Sequence, residues 1–271
     1  MLDVSIIIVN YNTNKLIMES IRSVVEDKSK ASREIIVIDN ASSDGSLPTL
    51  ENLKGKVQNY SLIVNNQNLG FAKANNQGLA IAKGKYKLLL NSDARLITGT
   101  LDTLINFAND RENLGMVAPK LRNIDGSTQG SVFRFPTVFR AISQYWLFNK
   151  GILDKYAPDA RDPIKVEAVV MACAIITQLA INKVGYLDER YFMYFEDIDY
   201  CRKLKKVGLD IYYLPACEVV HVHGASGDYN SLYGSEWKQL IPSSILYHGK
   251  LKHYLINFII WSGQKLQKIF Y

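Results

Sequence analysis

Much that would classify this 271-residue chain is missing from it. Its three cysteines, Cys173, Cys201 and Cys217, form no Cys-x-x-Cys pair and make an odd number. That argues against a disulfide framework and suits a reducing compartment. No glycine trio separates the first apolar run from the helix pattern behind it. "VNYNTN" stands there instead, so the close backbone approach to pyrophosphate that a nicotinamide or flavin dehydrogenase needs is not provided. Nor is this the glycine- and lysine-rich phosphate loop of a nucleotidyltransferase. "MLDVSIIIVN" has no basic region ahead of its apolar residues and no small-residue cleavage site, and reads as a first strand rather than a signal peptide. Internal repeats and low-complexity segments are absent, and no motif supports nucleic-acid binding.

What is present is a 48% hydrophobic composition, enough for a sizeable core, arranged as short β-branched runs alternating with helical patterns. "VSIIIVN" (4–10), "EIIVID" (34–39), "YSLIVN" (60–65), "YKLLLN" (86–91) and "GMVAP" (115–119) read as buried strands. Leu16, Ser20, Ile21 and Val24 share one helical stripe within 15–25. A second helix is predicted from about Ala72 to Ala82, stopping at Gly84 as a C-terminal glycine, and a third over 99–109. Residues 120–165 are irregular and aromatic, in the manner of a lid or acceptor-facing segment. Beyond them 166–176 reads as a strand, 197–207 as a helix and 210–216 as a strand. The alternation predicts an α/β fold, a mostly parallel sheet flanked by helices, in one continuous domain with a C-terminal appendage. Right-handed crossovers bring the loops after the strands to one edge, where open α/β sheets bind ligands. Asn10, Asp39, Asn91, Ser92 and Asp93 are therefore expected to be neighbours.

Each polar group at that edge has two readings. Asp39 can accept a hydrogen bond from a ring N–H of uracil or thymine, or hold an Asx turn. Asp93 can hold a divalent cation against a diphosphate, with Asn91 as a weaker neutral helper, or the Asn-Ser-Asp run can be ordinary turn chemistry. Glu196, Asp197 and Asp199 begin a helix whose end is basic, which suits the helix dipole. The dipole does not explain why Phe192, Tyr194 and Phe195 surround them. An aromatic wall beside a carboxylate is a common saccharide site and raises that carboxylate toward general-base range. His221 and His223, two apart, share a face of an extended segment, and one imidazole can complete a metal site begun by Asp93.

The last stretch, Asn230 to Tyr271, carries five lysines against Glu236 alone. Leu251, Tyr254, Leu255, Phe258, Ile259, Leu266, Ile269 and Phe270 recur there at helical spacing, with lysines largely between them. The uninterrupted apolar run is far below the roughly 20 residues of a membrane span. An interfacial helix fits, as does a helix packed on the domain or on a second subunit.

Taken in order, "VSIIIVNYN", "EIIVIDNASSDGS", "NNQNLGFAKANNQGLA", "LLLNSDARL", "GYLDERYFMYFEDIDYCRKLKKVG" and "LPACEVVHVHG" resemble the family 2 glycosyltransferases, most closely their bacterial rhamnosyltransferase-like branch. The resemblance implies a GT-A fold over 1–229, with a nucleotide-sugar-binding half (1–119) and an acceptor-binding, catalytic half (120–229), followed by a basic amphipathic helical appendage (230–271). It implies inverting transfer of a sugar, rhamnose by branch, from a dTDP- or UDP-sugar donor to a glycan or lipid-linked glycan acceptor in bacterial cell-surface polysaccharide synthesis. By the match, Asp39 contacts the base, Asp93 and His221 hold Mg2+ or Mn2+, and Asp197 is the catalytic base. Val9, Tyr11, Asn68, Gly70, Asn75, Asn91, Arg134 and Glu196 fall at the substrate. The family's metal motif is usually Asp-x-Asp; Asn91 replaces its first acid and leaves the site one charge poorer. The expected setting is cytoplasmic, peripheral at the inner face of the cytoplasmic membrane, with a homodimer as the other use of the last helix. The rival is a non-catalytic nucleotide-sugar-binding or scaffold protein that has kept the fold.

Overall fold

The structure is a computed structural model that describes residues 2–222 and 236–270. The first half alternates as its apolar runs predict: β1 (Val4–Asn10), α1 (Asn14–Val25), β2 (Arg33–Asp39), α2 (Ser46–Glu51), β3 (Tyr60–Val64), α3 (Phe71–Ile81), β4 (Tyr86–Asn91), β5 (Ala94–Leu96), α4 (Thr100–Asn109) and β6 (Leu114–Arg122). Next come β7 (Thr128–Gln129), β8 (Val132–Phe133), α5 (Val138–Tyr145), β9 (Ile164–Lys165), β10 (Ala168–Val169) and β11 (Cys173–Thr177). Then α6 (Gln178–Val184), α7 (Glu196–Lys206) and β12 (Asp210–His221) lead to α8 (Glu236–His248) and α9 (Lys250–Phe270).

The main sheet runs β3-β2-β1-β4-β11-β6-β12-β5. β3, β2, β1 and β4 are mutually parallel, as are β6 and β12. β11 runs against both β4 and β6 and joins the two parallel blocks. Side chains alternate across a strand, so the unbroken "IIIV" of β1 feeds both faces. Ile6 and Ile8 pack with Ile17, Val24 and Leu101 on the α1 and α4 side. Ile7 packs with Ile36, Leu79 and Leu204 on the α3 and α7 side.

Four expectations need correction. Ile17, not Leu16, completes the buried stripe of α1. Gly84 is not a helix cap: α3 ends in extended backbone at Ala82, and a Cβ on Gly84 would lie 2.4 Å from Ser5 N. The glycine is there because the chain crosses β1 at contact distance. The single strand expected over 166–176 is two, β10 and β11. Between them Val170, Met171 and Ala172 carry the chain from a two-stranded sheet of β8 and β10 into the main sheet. Finally, 120–165 contains α5. Val138, Ile142 and Tyr145 on this helix pack against Ile256 and Ile259 of α9. Gly263 lets the two helices meet, since a Cβ there would stand 2.5 Å from the Tyr145 main chain.

Over its described residues, 236–270, the appendage is thus helical, with α9 docked on α5. Among the described residues, no helix is long and apolar enough to cross a membrane. His223 and the 229/230 boundary fall outside the described residues.

Candidate active site

Register brings the strand ends together: Asn10 pairs with Asp39, and Val9 with Asn91. Asn10 Nδ2 donates to Asp39 Oδ1 and Ser42 Oγ, each at 2.9 Å, and the Ser42 N–H donates to Asp39 Oδ2 at 3.1 Å. The Thr13 hydroxyl lies 2.7 Å from Asn10 Oδ1 and 2.8 Å from Ser92 Oγ, tying β1 to the end of β4. Asn40 fastens the next loop. Its Nδ2 donates to Asn68 Oδ1 at 2.8 Å and its Oδ1 accepts from the Leu69 N–H at 3.0 Å. Gly70 then takes φ +80°, and the Phe71 N–H donates to Phe192 O at 2.8 Å. A Cβ on Gly70 would stand 2.3 Å from that same oxygen. This loop therefore closes directly on the segment that leads into α7.

Between the loop and the segment lies a cavity of about 220 Å³. Val9, Tyr11, Asn68, Gly70, Asn91, Asp93, Glu196, Asp197 and His221 all line it. Three expected residues are placed elsewhere. Asp39 is 1% exposed beneath the Ser42 turn. Asn75 is buried on α3, donating to Phe71 O at 2.9 Å. Arg134 lays its guanidinium over the Tyr156 ring, 4.2 Å from its centroid. The sequence reading missed Asn40, Lys155 and Met171, which also face the cavity, as does Phe133 of the aromatic 120–165 segment. Asn40 directly follows Asp39 and was open to the same turn argument; Lys155 sits in an irregular stretch whose pattern gave no sign of it.

Tyr194 and Phe195 both take left-handed backbone, φ +69° and +70°, a strained turn for non-glycine residues that sets the acids at the first turn of α7. Tyr194 faces the cavity, whereas Phe195 turns away to pack on Tyr247, ring centroids 5.2 Å apart. The three acids separate in role. Asp199 is held by Arg202 at 2.7 Å and Lys203 at 2.9 Å and belongs to α7 itself. Glu196 is buried, its Oε2 has no hydrogen-bond partner, and burial followed by the charge of Asp197 raises its pKa. Asp197 stays partly open to the cavity. Burial raises its pKa too, opposed by the Ile198 N–H that it accepts at 2.7 Å and by the charge of Lys155.

Asp93, which lines the same cavity, is 3% exposed, and its Oδ1 has no hydrogen-bond partner. That oxygen lies 3.3 Å from His221 Nε2. A buried carboxylate oxygen set against an imidazole nitrogen fits a small divalent cation. Among the described residues, no group of three or more His, Cys, Asp or Glu could hold a metal. The pair would supply only part of a coordination shell, the kind that Mg2+ completes with substrate phosphates and water. The histidine nitrogen makes Mn2+ equally suitable.

Residues 5–157 match the sequence profile of glycosyl transferase family 2. The chain is 27% identical over 205 residues to an N-acetylglucosaminyl-diphospho-decaprenol L-rhamnosyltransferase of Mycobacterium tuberculosis, covering 69% of this chain and 66% of that one. It is 26% identical over 247 residues to the rhamnosyltransferase WbbL of Escherichia coli K12, covering 79% and 91%. Among solved structures, GalNAc-T7 crystallised with UDP, GalNAc and Mn2+ superimposes with a TM-score of 0.68 at 16% identity, over 92% of this chain and 48% of that one. At that identity the likeness concerns the fold, which is the α/β GT-A fold.

Proposed function

The chain belongs to glycosyl transferase family 2, and on that premise we propose that it is an inverting transferase. It would move a sugar from a dTDP- or UDP-linked donor to an acceptor hydroxyl in bacterial cell-surface polysaccharide synthesis. One observation carries the reading: Asp93, His221, Glu196 and Asp197 all line a single cavity. Direct displacement needs a base and a cation site on opposite sides of the anomeric carbon. Asp197 accepts the proton of the acceptor hydroxyl as that oxygen attacks, and the nucleoside diphosphate leaves on the other side. Asp93 and His221 would hold Mg2+ or Mn2+, which supplies positive charge to the departing diphosphate when bound.

Val9 and Tyr11 at the end of β1, with Asn40 and Asn68 in the neighbouring loops, frame the nucleotide end. Asp39, fastened to Asn10 and Ser42, would shape the base pocket from beneath. Residues 1–119 would hold the donor and 120–229 the acceptor and the base. Rhamnose is supported by the names of two relatives. The mycobacterial relative is named for a decaprenyl diphosphate acceptor, which supports a lipid-linked glycan here. The test is a panel of nucleotide sugars incubated with Mn2+, Mg2+ or chelator. Slow hydrolysis of one dTDP- or UDP-sugar that chelator abolishes is the expected result. Tight binding with no turnover, even with acceptors added, would favour a binding protein instead.

A further inference from the structure

We propose that Gln129 is a positioning residue for the cation site: it fixes the proton of His221 on Nδ1 and so turns the Nε2 lone pair toward Asp93. The assignment rests on the reading of Asp93 and His221 as metal ligands.

Gln129 closes β7, a two-residue strand paired with the end of β6, and its side chain meets the end of β12. Its Oε1 lies 2.7 Å from His221 Nδ1. Oxygen and nitrogen of an amide, and the two tautomers of an imidazole, are assigned from their partners. Here the partners form a chain with one possible direction. Asp125 is a carboxylate and only accepts; its Oδ1 takes the Ser127 hydroxyl at 2.6 Å. With its proton spent, Ser127 Oγ must accept from Asn123 Nδ2 at 2.9 Å. Asn123 therefore presents Oδ1 to Gln129 Nε2 at 2.7 Å, and that same Nε2 also donates to His221 O at 3.3 Å. Gln129 Oε1 is thereby left facing the ring, and it can only accept. So Nδ1 carries the proton, and in the neutral imidazole Nε2 is the acceptor.

That nitrogen stands 3.3 Å from the unsatisfied Asp93 Oδ1 and 3.4 Å from Asn91 Nδ2. In that tautomer Asn91 Nδ2 can donate to Nε2, and a cation held by Asp93 would take the nitrogen's lone pair in the amide's place. A ligating histidine is ordinarily oriented by an acceptor on its other nitrogen, and losing that acceptor weakens metal binding by about 10–100-fold. The turn "NIDGSTQ" (123–129) would in this way set the geometry of a metal ligand on another strand.

The test measures Mn2+ affinity of the full chain by electron paramagnetic resonance in the presence of dTDP or UDP, with no turnover required. Gln129→Ala is expected to weaken Mn2+ about tenfold or more, and to add nothing on a His221→Ala background. Gln129→Glu keeps the acceptor and should retain affinity near wild type. Long-range proton–nitrogen spectra, simple in a chain with four histidines, should show His221 as the Nδ1–H tautomer in wild type and a mixture in Gln129→Ala. Wild-type Mn2+ affinity in a folded Gln129→Ala, beside a clear loss in His221→Ala, overturns the role of Gln129. Insensitivity to both His221→Ala and Asp93→Ala overturns the metal reading itself. If Gln129→Ala does not fold, the wild-type spectrum decides alone: an Nε2–H tautomer sinks the proposal.

Discussion

Glu196 and Asp197 are adjacent carboxyls drawn out of water, and such a pair does not ionise with equal ease. Glu196 carries both the burial and the repulsion of its neighbour, whereas Asp197 is offset by the Ile198 N–H and by Lys155. The proton therefore rests on Glu196 first, and Asp197 is left as the ionised group, basic enough to take a hydroxyl proton. Asp197→Asn should lower kcat about 10³-fold, within the range for a lost general base, with nucleotide affinity by calorimetry unchanged. Because its pKa is raised, wild-type turnover should fall on acidification with a midpoint above the ordinary aspartate range. A midpoint at or below that range would count against the assignment. The stability consequence of Glu196 has the opposite sense. An acid whose folded pKa is raised binds its proton more tightly folded than unfolded, so stability drops as pH rises from the ordinary glutamate value through the folded one. Glu196→Gln removes that loss. Its melting temperature should match wild type near pH ~4 and exceed it near pH ~8, by about 2–4 °C for each kcal/mol of that loss in a chain of this size. Equal melting temperatures at both pH values would remove the argument.

At the scale of elements, the contact that makes one site out of two halves is Gly70 against Phe192. Gly70→Ala faces a left-handed φ and a main-chain oxygen that flexible side chains cannot move aside. It should destabilise by about 2 kcal/mol or more in denaturant melts and weaken donor binding; an unchanged melt would show that the loop closes by another route. This contact also marks where legibility in the sequence ended. The strands, and the meeting of their polar ends, followed from apolar runs such as "VSIIIVN", because a run buried on both faces admits few other folds. The resemblance put Gly70 at the substrate but not why it must be glycine, since its constraint comes from a backbone more than a hundred positions away. Gly84 looked like a helix cap for the same reason, though its need is β1. α5 was legible and overlooked: Val138, Ala141, Ile142 and Tyr145 keep helical spacing, and Thr137 caps them by accepting the Arg140 N–H at 3.2 Å. In 166–176 every residue after Glu167 is apolar or small, so nothing in the pattern could say that the strand breaks at Val170. Asp39, Asn75 and Arg134 share a cause. Residue type announces that a polar group has a partner, and only packing decides whether that partner is the protein or the substrate.

For the whole molecule, α9 is the asymmetric element. One face, through Ile256, Ile259 and Gly263, is buried on α5. The other turns Leu251, Tyr254, Phe258 and Trp261 outward, 89%, 64%, 54% and 54% exposed. Trp146 extends this apolar strip from α5's end, its Nε1 donating to Ser262 Oγ at 3.0 Å. Lys250, Lys252, Lys265 and Lys268 belong to the same helix, whose sequence contains no acid. A helix apolar on two opposite sides needs a second apolar surface, and one flanked by lysines alone favours an anionic one. We therefore expect the full chain to cosediment with vesicles rich in phosphatidylglycerol and poorly with phosphatidylcholine vesicles. Each lysine near such a surface contributes about 1 kcal/mol and is screened by salt, whereas the aromatic contribution is not. Raising the salt should weaken binding without abolishing it, and Phe258→Glu with Trp261→Glu should release the protein while leaving donor hydrolysis intact. The rival occupant is a second copy of the chain. If wild type sediments as a dimer without lipid, and the double substitution yields monomers whose vesicle binding is unchanged, the outward face of α9 is a subunit interface and the acceptor must come to the enzyme by another path.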